Sequence, residues 1–188
     1  GRDEAGDAAL AHAAKLSPNQ ANLEKATKLF AEGKFRESEI AAKKVIADKP
    51  KDVNAGLLLA RIAIHARAYK EAEKLLRKVV EYAPRFILAW HELGVCLREQ
   101  HKDQEAAEAM EQCLEMDPEN STTFYHYGAA LAMAGRTDEA ARAYQRAIDI
   151  EPQQVGAHVA LGHVLKTLGD QEGGIAAYRS AIALKPNL

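Results

Sequence analysis

Cysteine is nearly absent: Cys96 and Cys113 are the two in 188 residues. A disulfide framework requires more, and no pair stands at the C-x-x-C spacing of a zinc site, so both are expected to be reduced packing residues. Long apolar runs are missing as well. The longest, such as residues 55–60, fall far short of the roughly 20 residues that cross a bilayer, and no charged-then-apolar leader opens the chain. Charge is not one-sided: 25 Lys and Arg stand against 27 Asp and Glu, a net charge of -2 that offers no general attraction to a phosphate backbone or an anionic membrane. No nucleic-acid or membrane partner is expected, and the expected location is cytoplasmic. Aromatics make up 6% of the chain, and Ala, Leu, Glu, Lys and Arg dominate, a balance that favours helix.

Proline is also scarce, but its placement is ordered. Five of the six prolines, Pro50, Pro84, Pro118, Pro152 and Pro186, fall at intervals of 34 residues. Units counted from this register span 19–52, 53–86, 87–120, 121–154 and 155–188, after an extension over 1–18. Small residues recur eight places into each unit (Ala26, Ala60, Gly94, Gly128, Gly162) and twenty places in (Ser38, Ala72, Ala106, Ala140, Gly174). Two helices that cross closely would need both columns. Larger residues alternate with them: Leu29, Ala63, Leu97, Leu131 and Leu165, then Ala42, Leu76, Met110, Tyr144 and Tyr178.

Gly33, Gly135 and Gly169 mark a turn between the helices of a unit, while Arg67 and His101 hold that place in the second and third units. Each proline ends the second helix by removing an amide donor and restricting the residue before it. The first helices are predicted over 20–32, 53–66, 87–100, 121–134 and 155–168, and the second over 36–48, 70–82, 104–116, 138–150 and 172–184. Ser17, Pro18 and Gln20 fit a capped helix start, and residues 7–16 an extra N-terminal helix.

Trp90, Leu93, Gly94, Leu97, Ala106 and Pro118, repeated as Phe124, Tyr127, Gly128, Leu131, Gly135, Ala140, Tyr144, Ala147 and Pro152, resemble the tetratricopeptide repeat pattern. The resemblance covers residues 19–188 and is weakest in the first unit, where Asn22 and Lys25 replace the usual aromatic and leucine. It implies an all-α superhelical solenoid of five helix-turn-helix repeats that binds a peptide or protein segment in the concave groove lined by the first helices. The family's contact places fall on Leu57, Arg61 and Ile64, on His91, Val95 and Arg98, on Tyr125, Ala129 and Ala132, and on Val159, His163 and Lys166. Arg61, His91, Arg98, His163 and Lys166 would make this surface locally basic, which suits an acidic segment. The carboxylate-clamp subclass is disfavoured, because Leu23, Thr27 and Arg61 hold its lysine and asparagine places. The asparagine ladder of sugar-transferase arrays is replaced by Glu24, Leu58, Glu92, His126 and Ala160.

A second resemblance lies in residues 162–169 (GHVLKTLG), 175–179 and 181–186, which are similar to the repeats preceding the catalytic domain of bacterial tetratricopeptide-linked sulfotransferases. It implies a non-catalytic arm of a larger enzyme. The chain itself carries no phosphate loop, GxGxxG turn, HExxH helix or GxSxG elbow, so neither catalysis nor a cofactor is expected of it. His158 and His163 stand five apart and do not share a helix face for a metal, and Glu105, Glu108, Glu111 and Glu115 read as a solvated helix face. The last helix carries Ile175, Tyr178, Ile182 and Leu184 where an array normally ends in a polar face, so self-association through it is expected.

Overall fold

The computed structural model describes residues 17–186, which hold ten α-helices and no strand. The helix expected over 7–16 lies outside the described residues. The chain divides into two compact units, the first ending at Pro84 and the second beginning at Arg85. In the first, α1 (Pro18–Ala31) pairs with α2 (Phe35–Asp48) and α3 (Val53–His65) with α4 (Tyr69–Tyr82), with α2 also on α3. In the second, the pairs are α5 (Ile87–Arg98) with α6 (Asp103–Met116), α7 (Ser121–Met133) with α8 (Thr137–Ile150), and α9 (Val155–Thr167) with α10 (Gln171–Leu184). Here α6 also packs on α7 and α8 on α9, which brings α5, α7 and α9 side by side.

The first helices end one or two residues before their expected ends because each closes with the same reversed turn. The amide of Lys34 donates to the carbonyl of Leu29, Ala68 to Ala63, Lys102 to Leu97, Arg136 to Leu131 and Asp170 to Leu165. Each bond spans one residue in the left-handed region: Gly33, Arg67, His101, Gly135 and Gly169. Arg67 at φ 56° and His101 at φ 58° adopt it despite their Cβ atoms, at a cost of about 1 kcal/mol each relative to a relaxed backbone. All five turns are therefore alike, including the two without glycine.

The residues before the five periodic prolines, Lys49, Ala83, Asp117, Glu151 and Lys185, leave the helical region (φ between -130° and -142°), in keeping with the steric demand of a following pyrrolidine ring. Helix starts are then capped where the sequence supplies an acceptor. Asp52 accepts from the Ala55 amide and Asn120 from the Thr123 amide, both at 2.9 Å, and Ser17 forms a reciprocal capping box with Gln20.

The two small-residue columns are buried at the helix crossings. Ala26, Ala60, Ala72, Ala106 and Ala140 are fully enclosed, and Ser38 donates its hydroxyl to the Ala26 carbonyl at 2.7 Å across the α1–α2 contact. A methyl group placed at Gly94 would lie 2.6 Å from Met110 Cε, at Gly128 2.9 Å from the Tyr144 ring, and at Gly162 2.7 Å from the Tyr178 ring. Around these contacts the first unit buries Ala41, Ala42, Leu58, Leu59 and Ile62, and the second buries Leu93, Leu97, Met110 and Leu131. Cys96 and Cys113 are buried and not joined in a disulfide, and burial pushes the Cys113 thiol up to about 12. They serve as small apolar side chains.

Candidate functional site

The expected contact residues divide between the two units. In the first, Leu57 on α3 is 6% exposed and packs inward, leaving Arg61 exposed and Ile64 half-buried. The Arg61 guanidinium lies over the Phe30 ring, 5.1 Å from its centroid. Phe30 meets Phe35 edge-on at 5.4 Å, and Phe35 meets His65 at 3.8 Å, so the C-terminal ends of α1 and α3 carry an aromatic strip with a cation on it. A guanidinium resting on a ring is restricted in orientation.

In the second unit His91, Val95 and Arg98 are half-buried along one face of α5. Tyr125 and Ala129 on α7 and Val159 on α9 are half-buried too, with His163 and Lys166 exposed. What joins α5 to α7 is His126, a residue the carried-over contact places omit. Its ring stands edge-on to His91 at 5.1 Å and to Tyr125 at 5.3 Å, and Tyr125 continues to Tyr144 of α8 at 5.9 Å. Arg98 Nη2 stands 3.6 Å from the Glu99 carboxylate. On α9, His163 meets Tyr178 of α10 at 5.3 Å, and His158 Nε2 approaches the Pro152 carbonyl at 2.9 Å.

Burial changes the charge expected of this cluster. Loss of water holds His126 down to about 4, with the neighbouring His91 and Arg98 adding to the effect. His91 is lowered for the same first reason, with Glu92 opposing and Arg98 assisting. Both imidazoles are consequently neutral at pH 7. The locally basic surface expected from Arg61, His91, Arg98, His163 and Lys166 thus lacks His91 as a cation, and Arg98 is the cation that acts on the α5–α7 imidazole pair. Burial also pushes the Tyr144 hydroxyl up to about 12, with Tyr125 contributing.

The acidic residues Glu105, Glu108, Glu111 and Glu115 are all exposed on α6, in keeping with a solvated face. Among the described residues no group of three or more His, Cys, Asp or Glu could hold a metal ion, and no helix is long and apolar enough to cross a membrane.

Tetratricopeptide repeat family models match residues 29–93, 69–121, 97–155 and 134–188. Among solved structures, a MamA crystal structure aligns with 86% of this chain and 94% of its own at 22% identity and a TM-score of 0.82. MamA from Desulfovibrio magneticus, residues 41 to the end, aligns with 91% of this chain and 97% of its own at 16% identity and a TM-score of 0.86. YrrB, described as a tetratricopeptide protein with an unusual peptide-binding site, aligns with 89% of this chain and 86% of its own at 17% identity and a TM-score of 0.81. No curated protein matches the sequence.

Proposed function

The chain belongs to the tetratricopeptide repeat family, and from that premise we propose that it is a non-catalytic interaction scaffold whose first-helix face holds an acidic peptide or protein segment. The repeats are assigned to 19–52, 53–86, 87–120, 121–154 and 155–188. The observation that carries the reading is the setting of its two arginines. Arg61 is held on Phe30, and the charge of Arg98 acts on the paired His91 and His126 rings, so each unit sets a guanidinium near flat ring surface. A carboxylate next to an apolar side chain is the matching ligand chemistry. The peptide-binding site named for YrrB, a protein of similar fold, is consistent with this use of the architecture.

The proposed contacts are Arg61 and Ile64, with Leu57 beneath them, in the first unit, and His91, Val95, Arg98, Tyr125, Ala129, Val159, His163 and Lys166 in the second. Reversing both central charges in Arg61→Glu with Arg98→Glu is expected to weaken binding about tenfold or more, since each charge-assisted contact contributes roughly 1.5–3 kcal/mol. Affinity capture from native lysate followed by mass spectrometry checks this, with the double variant as control. An identical set of captured proteins would exclude the face. The sulfotransferase-arm reading rests on residues 162–186 of the sequence, and nothing in the geometry adds to it.

A second copy of the chain is a further proposed partner. On α10, Ile175 is 49% exposed, Ile182 54% and Leu184 40%, whereas their counterparts on α8, Ala141, Ile148 and Ile150, are half-buried where α9 lies alongside. Light scattering at high concentration should show association that Ile175→Glu with Ile182→Glu abolishes. A wild-type chain that stays monomeric contradicts it.

A further inference from the structure

The His126 ring is tied into the α5–α7 contact on every side, yet its Nδ1 is shielded from solvent and has no hydrogen-bond partner. Such a nitrogen costs free energy in the unliganded protein, and its imidazole, on a first helix, feels the charge of Arg98, one of the two arginines to which acidic ligands are assigned above. The second imidazole, His91, lies against it from the neighbouring helix. We propose that His91 and His126 form a proton-accepting subsite, so that a carboxylate docking at Arg98 is bound together with one proton from solvent. This inference rests on the reading of the face as a site for acidic segments.

The surrounding groups fix the stoichiometry. From α5 the pair faces Glu92, which favours a proton on His91, and Arg98, which opposes it and whose own neighbour is Glu99. From α7 it faces Tyr125, and from α8 Tyr144 stands behind Tyr125 with its hydroxyl pushed up to about 12 by burial. Tyr127 of α7 is influenced instead by Glu111, Arg136 and Glu139. On α9, His163 is engaged with Tyr178 and His158 with the Pro152 carbonyl. The positive charge of Arg98 opposes protonation of both rings, and the two rings repel each other when both are charged, which limits the pair to one proton. A bound carboxylate neutralises Arg98 and removes a fixed positive charge that opposes protonation of both rings.

The affinity of the full chain for a decaglutamate peptide, measured by titration calorimetry at constant ionic strength, should be roughly tenfold tighter at about pH 5.5 than at about pH 7.5. In two buffers of different ionisation enthalpy, the pH 5.5 titration should report uptake of about one proton. His91→Gln with His126→Gln should lose both the pH dependence and the uptake, whatever its affinity at pH 7.5. Circular dichroism at both pH values establishes that the chains remain folded, and the wild-type proton count needs no variant at all. Binding that is equally tight at both pH values without proton uptake overturns the subsite and leaves the face reading intact. Uptake that persists in the Gln variant also overturns it, because the proton then lands elsewhere. Absence of decaglutamate binding at either pH overturns the subsite together with the acidic-ligand reading.

Discussion

Gly128→Leu is expected to lower the unfolding free energy by about 1–3 kcal/mol, and Gly162→Leu by clearly less. At Gly128 even a Cβ atom would approach the Tyr144 ring to 2.9 Å, and Tyr144 is 4% exposed between α7 and α8 with Tyr125 against it. The ring has no free volume to enter, so the inserted side chain must displace a helix or force an unfavourable rotamer. Helix propensity returns up to about 1 kcal/mol on replacing glycine, which keeps the net loss within that range. At Gly162 the opposing Tyr178 is half-buried on α10, whose outer side is open, and it can swing away. Denaturant unfolding of both variants checks the order. A Tyr144→Ala background should relieve Gly128→Leu, giving a coupling of about 1 kcal/mol or more in a double-mutant cycle.

The same contact explains how one helix-pair geometry tolerates five different sequences. Bulk on the second helix rises from Ala42 through Leu76 and Met110 to Tyr144 and Tyr178, while the facing residue on the first falls from Ala26 and Ala60 to Gly94, Gly128 and Gly162. Where both partners are alanine, the Ser38 hydroxyl bonds directly to the Ala26 carbonyl and draws α1 and α2 together. Volume is exchanged across the crossing and not added to it, as a close-packed interior demands.

Those columns, with the proline period, made the helix pairs legible before any coordinates, because they are local constraints repeated at fixed spacing. Turn residues were legible only where the left-handed place is glycine. Arg67 and His101 adopt the same conformation because the flanking helices and the bond back to Ala63 or Leu97 enforce it, and no residue preference announces that. The candidate face was less readable. Leu57 occupies a contact place by register yet is buried, and His126 occupies a place with no assigned contact role yet bridges α5 and α7. Both outcomes depend on which helices meet. The neutrality of His91 follows likewise from burial and from Arg98 across the cluster, neither of which its position in the repeat reveals.

Acid is expected to destabilise the second unit in a window set by these imidazoles. The His126 value falls from 6.5 to about 4 on folding, so between those limits the unfolded chain binds a proton that the folded one does not. Stability is then fully present above pH 6.5, declines as the pH falls, and levels off near pH 4, with His91 acting in the same direction. A shift of that size corresponds to roughly 3 kcal/mol for an enclosed group, and screening of a partly open side chain reduces it to about 1–2 kcal/mol. Thermal unfolding should show a Tm roughly 5–10 °C lower near pH 4.5 than at pH 7. His126→Leu separates this from the rest of acid unfolding. The carboxylates of Glu139 and Glu32, lowered by hydrogen bonds from Arg136 and Lys34, lose their contribution only as the pH drops below 4.5 and through their folded values. The variant should therefore lie flatter than the wild type between pH 6.5 and 4.5 and run parallel to it below. Parallel curves across the whole range would mean that the buried imidazole is not what the acid titrates.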